Sequence, residues 1–516
     1  MGSAASVAGQ LDRRTEGGAA GWGCAVSGGG LARKSMGVPS LWFFAVSASA
    51  PMTTVAGGIV QTYAVTGIVG VAVGFLVLAV ALALLSVGPV AMARHVGTAA
   101  PFYTFLARGL GPAAGVAGGL VALVGYDAVQ VALYGLFGAT LSSLLGGAWW
   151  AWAAAGCLLI AGLGVVRVDI GAGVVGVPVV LEIAVLAALI AGGLTHPAAG
   201  FTLAPLNPGS LFVTGVSGVL ALSIAAFVGF ETALAFGEEA RSGGAIGKAT
   251  FRALLFVGPF YALCAWAIVG ATGPGNVAQA ARDDPNLALT IIAATCGVVF
   301  GPLLAFLGSL LLITSIFAAM LSFHSTVARY VFALGRERVL FNVLGRTGAG
   351  SRSVRNAPVG GSLVQSGTAA VCIAVFAVAG ADPVATMFTL LAAVAAVAIL
   401  LLLVAASLAA IRWFRVGGGA NEARWERLVG PGLGVVAGAL VLGTTVAKFG
   451  VLVGTGRHTP LSVALLGVVV LAVVLGLVWA AVLAVFRPEV YRGIGDGQPP
   501  DLALADRRLD EVRLWR

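Results

Sequence analysis

Charge is what this chain has least of. Only 9% of its 516 residues are charged, with 20 acidic and 29 basic side chains, where soluble domains carry about a quarter. A soluble core of this size is excluded, because its surface could not be covered with so few charges. Cysteine is equally sparse. Cys24, Cys157, Cys264, Cys296 and Cys372 are scattered, with no C-x-x-C pair and no metal-ligand spacing, which excludes a disulfide framework and a zinc site. Four histidines without clustered cysteines or paired carboxylates speak against a membrane-embedded enzyme, and no catalytic residue or cofactor is expected. The start, "MGSAASVAGQLDRRTEGGAAGWGCAVSGGG", lacks an apolar run of signal-peptide length. It reads as a disordered cytoplasmic tail without a cleaved signal. Met1-Gly2-Ser3 is at most a superficial lipidation start.

What the chain does have is apolar length. Hydrophobic residues make up 59% of it, with 75 glycines and a mean hydropathy of +1.03. This is the profile of an all-α polytopic membrane protein, in which Gly and Ala let helices approach closely. About 20 apolar residues cross a bilayer, and twelve such segments are expected. They lie near 41–62, 67–92, 113–143, 148–166, 172–194, 211–237, 254–272, 298–328, 361–380, 384–411, 429–453 and 461–486.

With the N-terminus inside, 26 of the 29 basic residues fall on the cytoplasmic side. Arg282 and Arg457 fall outside, and Lys448 falls within the eleventh span, where it snorkels or pairs structurally. This partition obeys the positive-inside rule. It predicts a multi-pass protein of the cell membrane with both termini cytoplasmic. The net charge of +9 therefore reports topology, and no nucleic-acid partner is expected. The expected organisation is a tail at 1–38, a membrane domain at 39–487 and a cytoplasmic tail at 488–516. The longer outside links are "THPAAGFTLAPLNPG" and "GPGNVAQAARDDPNLALT". No soluble domain is left over, so any chemistry lies among the helices.

Three acidic residues fall well inside spans: Asp127, Glu182 and Glu231. Burying a charge there costs roughly 2.5 to 3.5 kcal/mol even on lenient scales, which makes each a functional candidate. Glu231 sits in "SIAAFVGFETALAFGEEAR", where Gly229 permits a break midway along the sixth span, against an unbroken helix as the simpler reading. The first span contains "FFAVSASAPMTTVAGG". Pro51 lacks an N–H and disfavours helical geometry at Ala50, while Ser47, Ser49, Thr53 and Thr54 are able to satisfy freed groups or a ligand. Taken alone this is a proline kink. Paired interruptions at corresponding spans of two five-helix repeats instead point to a transporter site at the midplane.

Three stretches carry a family resemblance over nearly all of 35–490. They are "FVGFETALAFGEEAR" with "AIGKATFRAL", then "FHSTVARYVFALGRERVLFNVLGRT", and "GTAAPFYTFLARGLGPAAGVAGG". Together they resemble the amino acid-polyamine-organocation family of permeases. The resemblance implies the leucine-transporter fold: two inverted five-helix repeats (39–194 and 211–412), then helices 11 and 12 (429–487), with helices 1 and 6 discontinuous. It also implies alternating access of a small-molecule substrate. In that family the first helix offers amides to a substrate carboxylate and the sixth offers carbonyls to its amine, as helix ends allow. Carried over, the site comprises Ser47, Ser49, Ala50, Met52 and Thr53 with Ala226, Phe227, Gly229 and Glu231. Many members have a glycine-rich first break. Here it is Ser-Ala-Ser-Ala-Pro, and Pro51 removes one amide, which keeps an amine or polyamine substrate open.

Phe227 is a candidate gate over the substrate or ordinary packing. Tyr126, Asp127, Gln130 and Tyr134 form a stripe at helical spacing on the third span, expected to face the bundle interior; Asp127 binds an amine, carries a proton or bonds a neighbouring helix. Glu182, after Pro178, is a candidate proton-coupling group or a structural hydrogen-bond partner. Thr314 and Ser315 lie where sodium-coupled relatives place hydroxyl ligands. Proton coupling is favoured over exchange and over Na⁺ coupling, and no resident metal is expected. "ARYVFALGRERVL" reads as a topology anchor that also packs on the inner gate. The leading expectation is a secondary active amino acid permease in the lipid bilayer. The alternatives are a polyamine or organocation carrier and a non-transporting sensor. Nothing in the residues bears on oligomeric state.

Overall fold

A computed structural model describes residues 31, 34–165, 168–348, 356–419 and 421–499. The expected tails at 1–38 and 488–516 lie largely outside these residues. The described chain is helical, with one isolated bridge between Met36 and Ala240.

In chain order the helices are α1 (Val38–Thr66), α2 (Val71–Ala93), α3 (Pro101–Leu110), α4 (Pro112–Leu145), α5 (Trp149–Gly164), α6 (Val168–Thr195), α7 (Val216–Phe236) and α8 (Gly243–Thr272). There follow α9 (Val277–Asp283), α10 (Leu287–Thr295), α11 (Gly297–Arg336), α12 (Val359–Val378), α13 (Pro383–Arg415), α14 (Trp425–Ala447), α15 (Pro460–Phe486) and α16 (Pro488–Arg492). Among the described residues, 11 helices are long and apolar enough to cross a membrane. The chain is thus a multi-pass membrane protein. The segment expected as the fourth span is α5, which has 16 residues and rises about 24 Å.

Four boundaries differ from the sequence expectation, each for a local reason. The seventh span starts earlier, at Gly243, because the Ser242 hydroxyl accepts from the Ala245 N–H and caps the helix. The eighth runs on to Arg336, so the basic motif continues the helix. Lys448 is exposed just beyond the end of α14, because the helix stops at Ala447. The link "GPGNVAQAARDDPNLALT" folds into α9 and the start of α10, where Asp284 accepts from the Asn286 N–H and the Thr290 hydroxyl.

Small residues set the spacing. Gly193 on α6 and Gly270 on α8 face each other so closely that a β-carbon on Gly270 would lie 2.9 Å from the Gly193 carbonyl oxygen. This is the close approach expected where helices have no water to drive them together. α4 packs against α11, α13 and α15, and α2 packs against α8. α1 runs between α6, α8, α11 and the second half of α7, which places both interrupted helices at the centre.

Candidate functional site

The first interruption follows from Pro51. Helix geometry ends at Ala48, and Ala50 adopts φ +43°, ψ 72°, a left-handed conformation costing a non-glycine residue about 1–2 kcal/mol. The chain turns helical again at Pro51, which needs no N–H partner at a first helical position. The carbonyl freed at Ser49 accepts from the Tyr261 hydroxyl (2.8 Å) and the Thr54 hydroxyl (3.0 Å). The Met52 N–H at the new helix start donates to Glu182 Oε2 on α6 (3.1 Å), and the Ser315 hydroxyl on α11 donates to the same oxygen (2.8 Å). Glu182 is wholly buried, and its Oε1 has no hydrogen-bond partner. A carboxylate from a third helix thus sits on the positive end of the second half of α1.

The second interruption centres on Gly229. Val228 is extended in ψ (123°) and Gly229 takes φ +117°, a conformation open to glycine. Glu231 turns back so that Oε2 accepts from the Gly229 N–H (3.0 Å), while Oε1 accepts from the Tyr126 hydroxyl on α4 (3.1 Å). The two interruptions touch. A β-carbon on Gly229 would lie 2.6 Å from the Ala48 β-carbon and 2.7 Å from its carbonyl carbon.

The remaining predicted residues distribute around this contact. Ser47 donates to the Phe44 carbonyl and lies 2.6 Å from Ser322 Oγ, and Ser49 donates to Ala45, so both hydroxyls are engaged within the protein. Thr53 Oγ1 is buried without a partner. Ala226 lies in the half-turn before the second break. Phe227 is buried there with its ring 5.9 Å from Phe75 and 6.3 Å from Tyr261. Leu82, Ile224, Phe227, Phe230, Ile399 and Leu400 close around Glu231, leaving a cavity of about 10 Å³, room for about one water. Thr314 turns its hydroxyl to the Leu311 carbonyl of its own helix, away from the Glu182 cluster that Ser315 joins.

The α4 stripe splits in two. Tyr126 joins Glu231, whereas Gln130 accepts from Gln365 Nε2 (2.6 Å), and its own Nε2 donates to the Tyr134 hydroxyl and lies 3.3 Å from His324 Nδ1. His324 Nε2 in turn meets Ser362 Oγ at 2.8 Å. Asp127 Oδ1 is buried without a partner beside this network.

Sequence reading assigned no role to Glu239 or His324. Glu239 forms a bidentate ion pair with Arg329, at 2.6 and 2.9 Å, with side chains 2% and 3% exposed, and Arg329 stacks 4.2 Å over the Phe236 ring. Glu238 pairs with Arg336, seven residues or about two turns further along α11. The signal was present as two adjacent acids in "GEEAR" and two arginines seven residues apart on one face of α11. These pairs close the end of the bundle where Met36 bonds to Glu239 and Arg241.

Among the described residues, no group of three or more His, Cys, Asp or Glu is placed to hold a metal ion. No curated protein matches the chain. A family model described as amino acid permease matches residues 36–475, spanning both interruptions and every predicted site residue. The chain belongs to the amino acid permease family, within the amino acid-polyamine-organocation superfamily.

Proposed function

We propose that this protein is a secondary active carrier for an amino acid or a related amine, working by alternating access around the touching breaks of α1 and α7. Its helices are read as two inverted five-helix repeats with α5 as the fourth span, followed by α14 and α15. The basic end is read as cytoplasmic and the membrane as the cell membrane. The observation that carries the reading is the contact of Gly229 with Ala48, which brings two interrupted helices together with a buried carboxylate on a free amide at each. Irregular backbone at membrane depth is tolerated only where protein or a cavity satisfies it, and paired breaks of this kind mark transport sites.

Glu182 is assigned the coupling role, with the proton as driving ion. It bridges α1, α6 and α11, so a change in its charge acts on three helices at once. Glu231 and Tyr126 are assigned to the substrate's ammonium end, and Phe227 to the gate over it. One observation favours an amine over an amino acid: Met52, an amide expected to receive a substrate carboxylate, already donates to Glu182.

Uptake into proteoliposomes tests this. Labelled amino acids and their decarboxylated amines are offered under an inward proton gradient, an inward Na⁺ gradient and none. Accumulation driven by protons supports the reading, and preference for the decarboxylated compound selects the amine. No accumulation or exchange under any gradient ends it.

A further inference from the structure

Glu337, the first residue beyond α11, is 2% exposed, yet its partners come from parts of the chain far apart in sequence. The Tyr103 hydroxyl on α3 donates to Oε2 at 2.6 Å. The Gly495 N–H donates to Oε2 at 2.7 Å and the Gly497 N–H to Oε1 at 2.9 Å. Both glycines have positive φ, +87° and +74°. That geometry turns alternate amides to one side and forms a backbone nest for an anion. The segment is held from its other face by Arg108 of α3, whose Nε donates to the Gly495 carbonyl at 2.9 Å. A β-carbon on Gly495 would lie 2.8 Å from that of Ala107, so no larger residue fits in this seat without a shift.

The seat adjoins the ion pairs that close this end. Arg336 precedes Glu337, donates to both carboxylate oxygens of Glu238 and lies over the Phe332 ring, while Gly497 lies against its guanidinium. The charged and titratable groups around Glu337 are Tyr103 and Arg108 from α3, Arg336 from its own helix, Glu238 across Arg336, and Asp496 from the segment itself.

We propose that residues 493–497 are a latch. Their glycine nest docks on Glu337, holds Arg336 against Glu238 and keeps the cytoplasmic end closed, and the segment must leave before that end opens. The directional name of this end rests on the function proposed above; the latch itself rests on the contacts. A tail that served only to complete folding would need neither a buried carboxylate as its receptor nor a place beside a closing ion pair.

The test uses the full-length protein in lipid nanodiscs, with spin labels at positions 241 and 341 in a cysteine-free background, and distances read by electron-electron resonance. Both positions are exposed. Deletion of 493–516, and separately Gly495→Val, is expected to raise the long-distance population at least threefold, while Gln498→Ala at an exposed position leaves it unchanged. Gly495→Val alters no membrane helix, so it keeps the test valid if the deletion folds poorly. An unchanged distance distribution in Gly495→Val overturns the latch, whatever happens to thermal stability. Wild-type protein that moves no substrate would instead end the carrier reading and leave the distance measurement standing.

Discussion

At the first interruption the free Met52 amide reaches across to a carboxylate on another helix, whereas at the second Glu231 folds back onto its own Gly229. The same need, an acceptor at the start of a helix half inside the membrane, is met from outside in α1 and from within in α7. The difference has a mechanical meaning. The second break carries its partner along if α7 tilts, but the first keeps its partner only while α1, α6 and α11 hold their present arrangement. A change at Glu182 is therefore felt across three helices, whereas a change at Glu231 is felt within α7 and at its bond to Tyr126 on α4.

The largest expected effect comes from removing what the two breaks share. Gly229→Ala forces a methyl into Ala48 at a residue with φ +117°, and strain with overpacking costs about 2–4 kcal/mol. Expected are a clear loss of thermal stability in detergent and loss of uptake; near wild-type values for both would show that the breaks are not in contact during transport. Glu182→Gln comes next. It keeps shape but removes the charge, and proton-driven accumulation is expected to fall at least tenfold while counterflow exchange survives. Retained accumulation would remove Glu182 from coupling.

Glu231→Gln sharpens the contrast. Its amide meets two donors, Gly229 N–H and Tyr126 O–H, so one donor is left facing another at about 1–3 kcal/mol. Substrate affinity should weaken by about tenfold or more, with the form of the proton dependence kept. A shifted proton dependence would mean that the two carboxylates act as one unit. Ser315→Ala deletes one bond to Glu182, worth about 1 kcal/mol, and a three- to tenfold drop in uptake rate is expected. No change would make that hydroxyl a bystander.

The smallest effect lies outside the membrane spans. Burial pushes Glu337 up from 4.5 to about 7, so the folded chain binds this proton more tightly than the unfolded chain. Its stabilising contribution is full below pH 4.5 and is lost as pH rises through about 7. The melting temperature of wild type relative to Glu337→Gln should therefore decline between pH 5 and pH 8. A relative rise would contradict it.

The long apolar helices were readable from the chain, because hydropathy reports them segment by segment. So were the positions of both breaks, since Pro51 lacks an N–H and Gly229 accepts positive φ, which are local properties. Pairing was not. Nothing near Met52 announces that its amide meets Glu182, 130 residues away, and the adjacent acids of "GEEAR" do not by themselves say which arginine Glu239 faces. Hydropathy says how deep a side chain lies but not which helix it faces. For the same reason Thr314 and Ser315, neighbours in sequence, differ in fate, one bonded within its own helix and the other to Glu182. Short polar helices such as α9 are missed because their apolar face is only a few residues wide.

One hydrogen atom, where other residues carry a methyl, has a wider consequence. Since Gly229 lies directly against the backbone of Ala48, the two interrupted helices share a single bearing. Neither can swing through a large angle while the other stays still without prising this contact apart. The core of the protein then has fewer independent movements than its two breaks suggest. Under the carrier mechanism proposed above, opening at one face and closing at the other would then be a single rotation.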